Sequence, residues 1–329
     1  MPDKNTAEQL RERTVSTDGD NGYVTNGEPT DHSGAEKAKK RRRRFGDRKD
    51  GRLIRTISPM SRIMPYIMRQ RSDACNTYAD SFDMEKVDKF CRLKVKEGKK
   101  NFSMLHIILA AYVRAISQRP GINRFVSGHK IYARNNIEVN MTIKREMSLD
   151  SPDTCIKAVF EPTDTIDTIY DKFNKLVVEN AVVGGTNSVD KLNKGLLKIP
   201  GVFLRFAISI ISFLDFFGWL PKKITDTSPF HGSMIITSMG SLGIKPIYHH
   251  IYNFGNLPVF IAYGMRRTAL EVEEDGSVVK KKYVDIKVVT DERICDGYYY
   301  ASAFKIIKKM VENPELLTVP PEQVYEDID

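Results

Sequence analysis

The sequence predicts an α+β or α/β sandwich in which strands and long helices alternate along one globular body. Three observations carry this. Short apolar runs of strand type recur from Tyr78 to Val289. Longer segments of helical periodicity lie between them. No internal repeat is present.

The elements follow in order. Residues 1–51 are polar, charged and poor in large apolar groups, so a disordered basic tail is expected there. The domain is expected over residues 52–325. SPMSRIMPYIMRQRSDA has apolar residues at helical spacing, with Pro65 early in the run. YADSFDMEKVDKFCRLKVKEG reads as a strand and then a helix. NFSMLHIILAAYVRAISQRPGIN is a buried helix from Ser103 to about Gln118, stopped by Pro120 and Gly121. RFVSGHKIYARNNIEVNMTIKRE predicts a hairpin with Gly128 in its turn. CIKAVFEP is a strand, and DTIDTIYDKFNKLVVENA is an amphipathic helix starting near Asp164 or Thr165. MIIT and VFIAYGM predict buried strands, with Gly240 and Gly243 breaking the chain between them. VVKKKYVDIKVVTDERI alternates as one more strand. GYYYASAFKIIKKMVENPELL closes the chain as a helix packing through Ala303, Ile306, Ile307 and Met310.

One segment stands apart as an apolar insert over residues 199–223. Gly201–Leu220, GVFLRFAISIISFLDFFGWL, is strongly apolar and marginal in length for a spanning helix. Arg205 and Asp215 oppose spanning. Helical spacing puts Phe203, Phe206, Ile210, Phe213 and Phe217 on one broad face. Arg205, Ser209, Ser212 and Asp215 fall toward the other. Three roles stay open: filling its own core, lying in a membrane interface, or covering another subunit. Lys222 and Lys223 follow directly and suit an anionic surface.

Bulk numbers narrow the class. The 329 residues, 41% hydrophobic, suit a soluble globular protein able to bury roughly 75% of its unfolded surface. The net charge is +9, and Lys37–Lys49, KAKKRRRRFGDRK, supplies much of it. The excess therefore describes a basic arm on a less basic body. The Arg41–Arg44 run suits nucleic acid, anionic lipid, an acidic protein, or mere solubilisation. The body shows no nucleic-acid recognition motif, so a nucleic-acid partner ranks last. Cys75, Cys91, Cys155 and Cys295 form no CxxC pair, and no metal site is expected. No apolar run follows the first charges, so free thiols in a reducing cytoplasm are the expectation.

The order of elements and three motifs together resemble a family, over about residues 53–320. SPMSRIMPYIMRQR resembles its opening helix. GSMIITSMGSLGIKPI resembles its hydroxyl-bearing strand and glycine turn, with Gly240 and Gly243 in the turn. DERICDGYYYASAF resembles its DHRxxDG signature and last helix. The family is the catalytic domain of the dihydrolipoyl acyltransferases of 2-oxo acid dehydrogenase complexes, related to chloramphenicol acetyltransferase. The resemblance implies an α+β sandwich with a mixed sheet flanked by helices. It implies homotrimers or larger assemblies, with active sites in channels between neighbouring subunits. It also implies coenzyme A or an acyl-coenzyme A as substrate.

In that family the signature histidine is the general base, and a strand hydroxyl donates to the oxyanion. Carried over, Thr237 matches the hydroxyl. Arg293, Asp296 and Gly297 match the signature, with Asp296 supporting the site. The histidine position is held by Glu292. Glutamate ionises near pH 4.3 and is a weak base toward a thiol. The resemblance therefore leads to two expectations: an acyltransferase using Glu292, or an inactive member serving as an oligomeric scaffold or membrane-associated binding protein. His231, His249 and His250 are expected to be surface or structural residues, and Cys295 a small packing residue. Residues 1–51 are too few and too polar for a lipoyl domain. The acceptor is then a separate acyl carrier or a small molecule.

Overall fold

The computed structural model describes residues 42–144, 153–180, 195, 198 and 200–329. In chain order, β1 (Gly51–Leu53) and α1 (Pro59–Ile67) precede β2 (Cys75–Asp83) and α2 (Glu85–Lys96). Helix α3 (Met104–Gln118) leads into β3 (Arg124–Ser127), β4 (Lys130–Arg134), β5 (Ile137–Lys144) and β6 (Asp153–Phe160). Three helices follow: α4 (Ile166–Asn180), α5 (Gly201–Phe216) and α6 (Lys222–Thr227). The last elements are β7 (Met234–Ser238), β8 (Val259–Val272), β9 (Val278–Asp291) and α7 (Gly297–Glu312).

The main sheet has the order β2-β9-β8-β7-β5-β6, and β1-β4-β3 form a smaller one. β5, β7 and β8 pair in parallel, while the other neighbours are antiparallel. The sheet is therefore mixed and flanked by helices, and the α+β class read from the sequence is the observed one. Helix α3 is apolar almost all round and is buried along nearly its whole length. Its capping box is closed by the Ser103 N–H donating to His106 Nδ1 at 3.1 Å. It packs against α4 and α7, and α7 buries Ala303 and Ile307 as its spacing predicted. Phe82, Ile108, Tyr112, Phe160, Ile236 and Val288 join one core. Each such side chain contributes about 1.5–3 kcal/mol on burial.

Three expectations need correction. The segment expected as a single hairpin divides. β3 and β4 do form a hairpin, turning through Gly128 and His129, both at φ +56°. β5 then leaves for the main sheet and pairs with β6 and β7. Of the roles left open for the apolar segment, core filling accounts only for the half-buried Leu204, Ile211 and Leu214, while Phe203, Phe206, Ile210, Phe213 and Phe217 remain exposed. Asp215, which helical spacing grouped with the polar Arg205, Ser209 and Ser212, is the residue of α5 that is buried. The fold also reaches into the stretch read as tail: Arg48 and Gly51 are buried.

Candidate active site

β9 ends at Asp291, and the chain turns through Glu292–Asp296 into α7. The last four residues of β9, Val288 to Asp291, are all buried, and Asp291 is fully so. Two guanidinium groups neutralise it. Arg293 donates to it from Nε at 2.8 Å and from Nη2 at 2.7 Å. Arg71 donates from Nε at 3.3 Å. The remaining donors find carbonyls: Arg71 reaches Tyr252 O at 2.6 Å and Gly255 O at 2.9 Å, and Arg293 reaches Met68 O at 3.2 Å. Burial presses Arg71 below the usual guanidinium range, and Asp291 offsets part of that. The cluster ties the segment after α1 and the 252–255 loop to the signature turn.

Within that turn the residues have separate tasks. Asp296 is the N-cap of α7, accepting from the Tyr299 N–H at 2.8 Å. Gly297 is the first residue of α7, and a Cβ there would meet nothing within 4 Å. Glu292 is exposed, held by its backbone N–H donating to Ala74 O at 2.8 Å. Its carboxylate has no hydrogen-bond partner among the described residues. Cys295 packs partly buried against the core, and burial pushes its thiol far above the ordinary range.

Thr237 lies on β7, half-buried. The two glycines after it are required for different reasons. A Cβ on Gly240 would sit 2.7 Å from Gly264 O, whereas Gly243 needs its φ of +71°. Strand register fixes where Thr237 stands relative to Glu292. Thr237 is level with Ala262, and Ala262 with Lys287. Glu292 lies five residues farther on. That places it about 17 Å along the strands and about 10 Å across them. One chain therefore does not bring Thr237 and Glu292 together.

Beside the turn is a cavity of ≈ 360 Å³, lined among others by Arg69, Arg71, His129, Asp215, Asn253 and Arg293. Asp215 leads to a second buried cluster. It accepts from Arg48 Nη2 at 2.8 Å and lies 3.2 Å from His231 Nε2. His231 Nδ1 is 2.9 Å from Ser228 Oγ. Burial alone would raise the Asp215 carboxyl, but the hydrogen bond and charge of His231, with those of Arg48, bring it down to about 2. The residue types are those of a nucleophilic triad. Ser228, however, is buried and accepts the Phe230 N–H at 3.2 Å, so the cluster acts as a clamp on α5. His231 is thus structural, as expected. His249 stacks on Phe260, with ring centroids 4.3 Å apart, and His250 is exposed.

Sequence reasoning missed Asp291 and Arg71 as the centre of the turn. The leading acid of TDERICDG was a signal for Asp291, while Arg71 stands 220 positions away with no local sign.

Residues 222–319 match the family model described as 2-oxoacid dehydrogenases acyltransferase (catalytic domain). That stretch holds Thr237, Gly240, Gly243 and the whole signature turn, so the resemblance read from the sequence stands. No curated protein matches the chain. Among solved structures, a probable dihydrolipoamide acetyltransferase from Listeria monocytogenes is similar at 15% identity. It covers 79% of this chain and 94% of its own, with a TM-score of 0.48. A chloramphenicol acetyltransferase is similar at 11% identity, over 79% of this chain and 99% of its own, with a TM-score of 0.48. The dihydrolipoamide acetyltransferase of Azotobacter vinelandii is similar at 11% identity, over 80% and 93%, with a TM-score of 0.47.

Proposed function

We propose that the protein transfers an acyl group between coenzyme A and a separate acceptor, either an acyl carrier or a small molecule. The observation that carries this is the match of residues 222–319 to an acyltransferase catalytic domain, with the signature turn locked by Asp291. Generic acyl transfer follows from the family. The individual roles are our assignment. The acceptor's thiol or hydroxyl attacks the thioester carbonyl, and its proton passes to the Glu292 carboxylate. The tetrahedral oxyanion accepts a hydrogen bond from the Thr237 hydroxyl. Collapse breaks the carbon–sulfur bond, and the leaving coenzyme A thiolate takes the proton back from the Glu292 carboxyl, which returns Glu292 to the carboxylate. Arg293 and Asp296 hold the turn rather than touch the reacting atoms. Thr237 and Glu292 stand far apart in one chain, so the reading calls for Thr237 of one copy facing Glu292 of another, in a homotrimer or larger assembly.

A second reading is favoured by the exposed Glu292 carboxylate, which has no hydrogen-bond partner among the described residues, and by the exposed stripe of helix α5. In it the chain is a catalytically silent oligomeric scaffold or a membrane-associated binding protein, cytoplasmic and peripheral. Among the described residues no helix is long and apolar enough to cross a membrane.

Release of free coenzyme A from short acyl-coenzyme A donors separates the two. If Glu292 is the base, Glu292→Gln lowers turnover about 10²–10⁴-fold. Undiminished turnover in Glu292→Gln removes the base assignment. No turnover in wild type, Glu292→Gln or Glu292→His, together with no coenzyme A binding, selects the scaffold.

A further inference from the structure

Helix α5 has two apolar sides. Leu204, Ala207, Ile211 and Leu214 face inward at helical spacing and are half-buried. Phe203, Phe206, Ile210, Phe213 and Phe217 form a second stripe that is 43–66% exposed. The stripe runs into an aromatic cluster at its C-terminal end. Phe217 lies 4.9 Å from Phe213 and 5.0 Å from Trp219, ring centroid to centroid. Trp219 is 62% exposed. A surface helix that turns this much aromatic area outward is made to be covered.

Charge on α5 and at the start of α6 says by what. Arg205, Lys222 and Lys223 are all exposed. The buried clamp adds more. Arg48 donates to the Asp215 carbonyl at 2.5 Å and to its carboxylate at 2.8 Å, and to Ser127 Oγ at 2.7 Å. This fixes the chain segment carrying Arg42, Arg43, Arg44 and a fully exposed Phe45 to the C-terminal end of α5. Arg44 and Arg48 are four residues apart, within about 14 Å of chain. Arg44 pairs with Asp329, and Asp226 is the acid nearest in sequence to Lys222 and Lys223; the set remains net positive. An exposed aromatic stripe and a basic run, held together at one place, are the two signals that stable attachment to an anionic bilayer requires.

We propose that α5 lies in the plane of an anionic phospholipid surface. Phe203, Phe206, Phe213, Phe217 and Trp219 enter the acyl boundary, while Lys222, Lys223 and Arg42–Arg44 meet headgroups. This deepens the membrane-associated reading above and rests on it, not on acyl transfer.

Trp219, the single tryptophan of the chain, reports the contact. The full chain is titrated with phosphatidylglycerol–phosphatidylcholine vesicles and with phosphatidylcholine alone. The expected result is a blue shift with the anionic vesicles and cosedimentation that falls on raising salt. Phe213→Asp with Phe217→Asp, and separately Lys222→Glu with Lys223→Glu, should each weaken partitioning about tenfold or more. Both lysines are exposed, so that pair keeps the test valid if the phenylalanine pair disturbs folding. Equal binding to both vesicle types overturns the charge argument. No shift at millimolar lipid overturns the proposal. So does emission already blue without lipid that reddens on dilution as the oligomer dissociates, because a second copy then covers the stripe. Coenzyme A release from the same samples is scored independently, so a failure of acyl transfer leaves these outcomes readable.

Discussion

Asp291 has lost its water entirely, and its two arginines have lost nearly all of theirs. Such a cluster contributes little net stability when whole and costs a great deal when broken, because a buried charge is left without its counter-charge. Asp291→Asn should therefore destabilise the fold by about 3–5 kcal/mol, read as a lower midpoint in urea unfolding. Asp215 makes a pH-dependent contribution. Its folded pKa of about 2 lies below the ordinary value of 3.8. The stability it supplies is complete above the ordinary pKa and is lost as pH falls through the folded one. The shift corresponds to something on the order of 2 kcal/mol. Wild type should lead Asp215→Asn by most near pH 6, and the gap should narrow steadily toward pH 2. A gap that stays constant across that range would show that the carboxylate's charge is not what holds α5.

At the scale of elements, the cap of α7 separates support from chemistry. Asp296 belongs to the signature, yet its side chain accepts from Tyr299 N–H, the ordinary work of an N-cap. Asp296→Ala should cost about 1 kcal/mol of stability, and Asp296→Asn or Asp296→Ser should recover most of it. If catalysis needs Asp296 only for this, the same two variants should also restore turnover, which a coenzyme A release assay checks. Local physics made α3, α4, α7, β7 and β9 readable in the sequence, because each writes its own periodicity and its own stops. The departure of β5 from the β3–β4 hairpin was not readable, since strand pairing is settled by residues far along the chain. Asp215 was misplaced for a related reason. Periodicity gave its face on α5, but its burial depends on Arg48 and His231, which no helical wheel contains. The signature turn was legible as a motif. The clamp beneath it was not, because Arg71 joins it only through the fold.

The whole molecule raises the question of where a complete site exists. Thr237 sits toward the C-terminal end of β7, and Glu292 lies beyond the opposite end of the same sheet. Nothing short of unravelling β9 brings the two together within a chain. An acyltransferase using both must assemble them across an interface, so a stable monomer at micromolar concentration in light scattering removes the site assignment. A sharper test uses two inactive chains. Thr237→Ala keeps Glu292, and Glu292→Gln keeps Thr237. In a cyclic assembly each site draws one residue from each of two neighbours. Random mixing of the two variants in equal amounts then leaves roughly a quarter of the sites with both wild-type groups. Coenzyme A release should rise from near zero in either variant alone to about that fraction of wild type after co-expression. It should stay near zero when separately assembled variants are combined without subunit exchange. If the co-expressed mixture is no more active than its parts while wild type is active, Thr237 and Glu292 do not serve one shared site.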